Sequence, residues 1–245
     1  MASTQLDSET LAARRTAGRP FYTWGAIAAL LVVFAGFART FYLNGYLAHF
    51  PLTGMLYLHG LVMTLWFALF LVQVRLVAAG RTPVHRRVGV FGAIAAVLVL
   101  IVGTTTAILG ARAGHTPPGA PPALVFLAIP IGDMVMFAGL TGAAIWLRRR
   151  PEYHKRLMLL ATLGILTAAI SRIPIDALQA GGLPAFFGAT DVLLIACIAV
   201  DTIRNRRLHP AFAWGFGFIL LTQVARFVGA GTPQWMALAR WMTGS

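Results

Sequence analysis

Six polar residues stand in or at the ends of strongly apolar stretches of this chain and carry groups able to hold a ligand: His59, Asp133, Arg172, Asp191, Gln223 and Arg226. A guanidinium and an imidazole donate hydrogen bonds to oxygen, and a carboxylate nearby pairs with the arginine. Arginines around a histidine suit a small anion, a quinone head group or the propionates of a haem. Asp133 lies deepest, ~15 Å into its stretch at helical rise. Charge at such depth is costly, is paired or faces water, and marks a functional site by default. The plainer reading is that Asp133 and Asp191 neutralise Arg172 and Arg226, that His59 donates to a carbonyl, and that these contacts only lock packing. That reading suits the boundary residues Arg39 and Asp191. For Asp133, His59 and Arg226 both readings are kept.

The other histidines offer less. His85, His154 and His209 each follow a basic run and open an apolar stretch at one membrane face. Three imidazoles converging there would hold a metal, and interfacial anchoring explains them as well. A buried b-type haem takes two axial histidines from facing helices, and only His59 lies within an apolar stretch. His59, Met63, Trp66, Phe70 and Gln73 share one helical face. That face is either a packing seam or a slot for an aromatic or isoprenoid ligand. The HExxH, CxxC, Walker A and GxGxxG signatures do not occur in the sequence, so the common enzyme motifs are missing and enzymatic activity is left open.

Those residues need elements to hold them, and composition names the medium. Of 245 residues, 58% are hydrophobic and 11% charged, against about 25% charged in soluble domains. The net charge of +13 does not indicate nucleic acid, because the basic residues punctuate apolar runs. Seven stretches reach or approach the ~20 residues that cross a bilayer: 21–40, 55–79, 88–110, 123–147, 156–173, 188–203 and 211–229. The fifth and sixth are short, and Lys155, Arg156 and Arg204 are placed to snorkel and extend them. Fifteen of the 20 basic residues fall on one side of this arrangement and five on the other, so the start of the chain is expected in the cytoplasm and its end outside. The fold class is all-α: a polytopic membrane protein with seven transmembrane helices. Nineteen of the 20 basic residues are arginine, a bias of GC-rich bacterial genomes.

Residues 1–20 read as a polar cytoplasmic tail without a signal-peptide core, and the first helix as a retained anchor. The proline-rich segment 114–122 is expected to be non-helical, and 174–187 to be a broken loop. Residues 230–245 read as an outer segment whose 233–245 part is a short interfacial helix on the outer leaflet. Gly89, Ala96, Gly103 and Gly110 recur every seven residues, which places the third helix at the centre of the bundle. Cys197 is the single cysteine and excludes an intrachain disulfide.

The junctions His85-Arg86-Arg87-Val88-Gly89 and His154-Lys155-Arg156-Leu157-Met158, with Leu58-His59-Gly60, resemble those of uncharacterised bacterial multi-pass inner-membrane proteins with His-Arg helix-opening motifs. That resemblance covers the second to seventh helices and implies no activity. Dihaem cytochrome b and ferric-reductase-like proteins are also similar in outline, but this chain lacks their paired intramembrane histidines. The combined expectation is an inner-membrane protein, with the lipid bilayer as its solvent, whose polar pocket opens outward and binds or transports a small anionic or quinone-like ligand. A haem- or redox-linked protein is one alternative. A non-catalytic accessory subunit among other subunits of a respiratory or photosynthetic membrane complex is another.

Overall fold

The computed structural model describes residues 19–117 and 119–245, all helix, turn and loop. The expected tail, 1–18 in particular, lies outside the described residues. The main helices are α1 (Arg19–Phe37), α2 (Gly54–Ala78), α3 (Thr82–Arg112), α4 (Ala128–Trp146), α5 (Pro151–Gly164), α6 (Asp176–Asn205), α7 (Pro210–Gly229) and α8 (Pro233–Thr243). Short turns extend some of them: a π-helical turn at Ala38–Tyr42 after α1, one turn at Ala123–Phe126 before α4, and one at Thr167–Ile170 after α5. Among the described residues six helices are long and apolar enough to cross a membrane: α1 with its π turn, α2, α3, α4 with its leading turn, α6 and α7.

The fifth apolar stretch differs from its expected form. It starts at Pro151, where a proline without N–H suits a first helical turn, and α5 runs for only 14 residues before a break at Ile165–Leu166. It is also the most enclosed part of the protein. Residues 159–164 are all buried, as are Thr167, Ala169 and Ile170. Its buried part is apolar all round, as a helix enclosed by protein is, and its polar first turns carry Glu152, His154, Lys155 and Arg156. Two polar contacts fix its register on α6. Arg156 meets Asp201, and Thr167 meets Thr190 at 2.9 Å. Both steps are eleven residues, so the two segments run antiparallel for ~16 Å despite the break.

The centre of the bundle is therefore α5 and not α3. Of the expected stripe, only Ala96 and Gly103 are buried, and Gly103 faces the Met134 sulfur. Gly89, Gly92 and Gly110 face open space, because α3 packs through one side on α2 and α4 and turns Phe91, Val97 and Ile101 outward. The close approach that does need glycine is at Gly36, where a side chain would strike the backbone of Ala169.

One further boundary moves. The 174–187 segment is broken as expected, at Gly182 with φ 56° and ψ −147°, but only 174–175 are loop: two helical pieces meet at that kink and make up α6 from Asp176. Pro184 then falls in the first turn after that kink, where its missing N–H costs nothing. The 114–122 segment is non-helical as expected wherever it is described. The terminal helix α8 forms and is amphipathic, with Ala239 buried and Trp241 79% exposed. It is docked on the protein, since Trp235 Nε1 donates to the Leu124 carbonyl at 2.8 Å.

Candidate functional site

The six candidate residues divide into two groups. In the first, α4 and α7 bring Asp133 and Arg226 together. Arg226 Nη1 donates to Asp133 Oδ1 at 2.5 Å, with both side chains largely buried. Arg226 Nη2 reaches Thr222 Oγ1 at 3.3 Å, and the guanidinium lies over the Phe187 ring at 5.3 Å. Gly132 makes room for the arginine stem, since any side chain there would strike it. Three residues before Arg226 on α7, Gln223 Nε2 donates to Asp191 Oδ1 on α6 at 2.8 Å. Four of the six residues thus contact one another and tie α4, α6 and α7 together, with Arg226 Nε buried and without a partner. Of the pairings that the plainer reading names, Asp133 with Arg226 is present, while Asp191 meets the Gln223 amide and not an arginine.

His59 and Arg172 form the second group and join none of those four by hydrogen bond or ion pair. Arg172 follows the Thr167–Ile170 turn, donates to the Ala168 carbonyl at 2.6 Å and lies 4.8 Å over the Phe37 ring of α1. Among the described residues no carboxylate comes within 4.0 Å of it. His59 Nδ1 is buried with no hydrogen-bond partner, so it does not donate to a carbonyl. Its neighbour Gly60 sits against Phe41, whose ring is 6.2 Å from that of Tyr57.

The rest of the α2 face is a packing seam, not a slot. Trp66 is 2% exposed and meets Phe137 of α4 edge to face at 4.8 Å. Gln73 turns its amide nitrogen to His85 Nδ1, and its oxygen accepts from Gly89 N at 3.1 Å.

The strongest polar cluster was not among the candidates. Arg156 was expected to snorkel, yet it is 2% exposed. It forks onto Asp201 with Nε–Oδ2 at 2.9 Å and Nη2–Oδ1 at 3.0 Å, and reaches Glu152 Oε2 at 2.6 Å through Nη1. The Tyr22 hydroxyl closes on Asp201 at 3.5 Å, and Phe212 lies under the guanidinium at 5.6 Å. The cluster ties α1, α5, α6 and α7 at the basic end of the bundle. The signal in the sequence is modest: Asp201 is the lone acid beside Arg204, Arg206 and Arg207, and Glu152 stands four residues before Arg156.

The three histidines at that end do not converge. His85 and His154 rings are 6.3 Å apart, and His154 Nδ1 is bound to the Ala144 carbonyl at 2.8 Å. His209 packs on Tyr153 and caps α7, its Nδ1 accepting from Ala211 N at 3.1 Å. Among the described residues no three His, Cys, Asp or Glu side chains are grouped to hold a metal. Burial pushes the His209 pKa below its ordinary 6.5, and the Arg156 charge adds to this. Protonation would also put a hydrogen on the nitrogen that caps α7. A lowered folded-state pKa means the unfolded chain binds the proton more readily. The stability contribution is therefore full above about pH 6.5 and is lost as pH falls below it. His209→Asn keeps a capping oxygen and removes the titration. Its melting temperature should fall less than that of the wild type between pH 7.5 and 5.5; an unchanged slope would place the titration elsewhere.

Grooves are also present on the surface of the described residues. One of about 480 Å³ lies beside Leu71, Arg75 and Arg81, and one of about 350 Å³ lies between α1 and α6. None of the six candidates lines either. No family model, no curated protein and no solved structure matches the chain.

Proposed function

We propose that this is a seven-segment protein of a bacterial inner membrane that binds a small ligand bearing acceptor oxygens, a quinone head group or an anion, between His59 and Arg172 at its outward end. The His-Arg junctions and the arginine bias support the bacterial setting. The six apolar helices support the membrane. The fifth segment supports the seventh crossing: Pro151–Ile170 is long enough for ~30 Å at helical rise, and its antiparallel register on α6 carries it through the bundle. Seven crossings place the two ends of the chain on opposite sides, and the basic loops orient the start inward.

One observation carries the ligand reading. A buried nitrogen without a partner, His59 Nδ1, belongs to the same end of the bundle, around Phe37 and Phe41, as an arginine that no carboxylate neutralises. An unsatisfied buried polar atom costs about 1–3 kcal/mol, and a ligand oxygen would remove that cost while accepting from the guanidinium. The flanking Phe37, Phe41 and Tyr57 suit a flat quinone ring better than a hydrated anion. The Asp133–Arg226 and Asp191–Gln223 contacts then serve to hold α4, α6 and α7 in place.

Thermal unfolding of the purified protein in detergent tests this, with decylubiquinone in one arm and sodium sulfate in the other. At a hundredfold excess over Kd a ligand should stabilise by about 2.7 kcal/mol. Decylubiquinone is expected to do so in the wild type and not in His59→Leu or Arg172→Gln. Stabilisation by sulfate alone would make the ligand an anion, and no effect from either probe would overturn the site.

A further inference from the structure

We propose that the groove between α1 and α6 holds one acyl chain of an anionic phospholipid, with the lipid phosphate against Arg204. Both helices pack on the α5 segment with its following turn and leave a gap of about 350 Å³ between them. Its floor is Leu163, 1% exposed, and its wall on α1 is lowered by Gly25 and Ala28. Phe21 and Cys197 continue an apolar lining that ends at Arg204. The shape is thus an apolar slot with a guanidinium at one end.

Charge decides the occupant. Arg204 is followed by Arg206 and Arg207, and all three are exposed at the basic end of the bundle. A guanidinium forks onto phosphate oxygens, and each basic residue near an anionic membrane surface favours binding. Arg204 already has a contact within the protein, and its five donors leave room for a phosphate as well. Trp24, 68% exposed beside the same groove, is the type of side chain that sits at head-group level. A second copy docked twofold at this groove would bring two sets of Arg204, Arg206 and Arg207 together, and like charges oppose that pairing. A lipid with a net negative head group meets the same residues with the opposite sign.

Native mass spectrometry of the delipidated full chain tests this, with dioleoylphosphatidylglycerol and dioleoylphosphatidylcholine offered at equal concentration. The two share their acyl chains, so only the head group differs. Phosphatidylglycerol should be retained about fivefold more than phosphatidylcholine. Arg204→Gln should remove that preference. Ala28→Phe, at an exposed position of α1, should fill the groove and reduce retention of both lipids. Modification of Cys197 by N-ethylmaleimide should slow on adding phosphatidylglycerol to the wild type and not to Arg204→Gln. Equal retention of the two lipids, or a preference that survives Arg204→Gln, would overturn the proposal. So would a dimer that Ala28→Phe dissolves, since a second copy would then be the occupant.

Discussion

Asp201→Asn is expected to destabilise the protein in detergent by about 3–5 kcal/mol, the cost of leaving one partner of a buried ion pair. Arg156 has no route to solvent at 2% exposure. Asp201 supplies both oxygens of its fork, and an amide offers one oxygen without charge. Glu152 would remain, but its side chain is 53% exposed, binds a single nitrogen of Arg156 and is shared with Lys155. Intramembrane polar contacts often deliver less than their aqueous counterparts, so the lower end of the range is the expected one. Arg156→Met with Asp201→Leu should recover most of the loss, because replacing a whole buried pair by apolar groups is often neutral or better. Thermal unfolding followed by circular dichroism reads both. Wild-type stability in Asp201→Asn would mean that Arg156 is not enclosed as described.

Asp133→Asn should cost less, about 2–3 kcal/mol, because the remaining contacts of Arg226 with Thr222 and the Phe187 ring survive and hydrogen bonds to charged groups contribute about 1.5–3 kcal/mol. Asp133→Asn with Arg226→Gln should recover part of that, since the charge without a partner is gone. A double variant no more stable than the sum of the singles predicts would show that the two side chains do not act as a pair. These substitutions should leave the response to decylubiquinone intact, because His59 and Arg172 lie apart from the pair.

Much of the helical framework was legible because lipid contact leaves a strong compositional mark. The stretches at 55–79, 123–147 and 211–229 correspond closely to α2, α4 with its leading turn, and α7. The fifth stretch was readable as apolar but not as central, since a helix enclosed by protein carries less lipid-facing surface than its neighbours. The stripe on α3 misled for a related reason. Small residues permit close packing without requiring it, and Gly89 and Gly110 face open space. The 174–187 segment looked broken because it holds two prolines and two glycines, yet one glycine in a positive-φ conformation takes up the whole bend.

The candidate site was legible residue by residue and not as an assembly. Intramembrane charge singled out Asp133 and Arg226, and they do pair. Sequence spacing says nothing of which helices adjoin, so it could not separate His59 and Arg172 from the other four. Arg156 and Asp201 were hidden by position. A charge one turn inside a basic boundary reads as an anchor, and only the inward turn of Arg156 shows otherwise.

The central claim is that a ligand oxygen sits at His59. Trp66 lies seven residues further along the same helical face, ~10 Å away at helical rise, so a quinone bound there should quench its fluorescence. The decisive measurement is a decylubiquinone titration of the detergent-purified protein followed by tryptophan emission. The predicted result is saturable quenching that disappears in Trp66→Phe and whose Kd rises at least about tenfold, or about 1.4 kcal/mol, in His59→Leu. Quenching that never saturates, or that is the same in all three proteins, would contradict it.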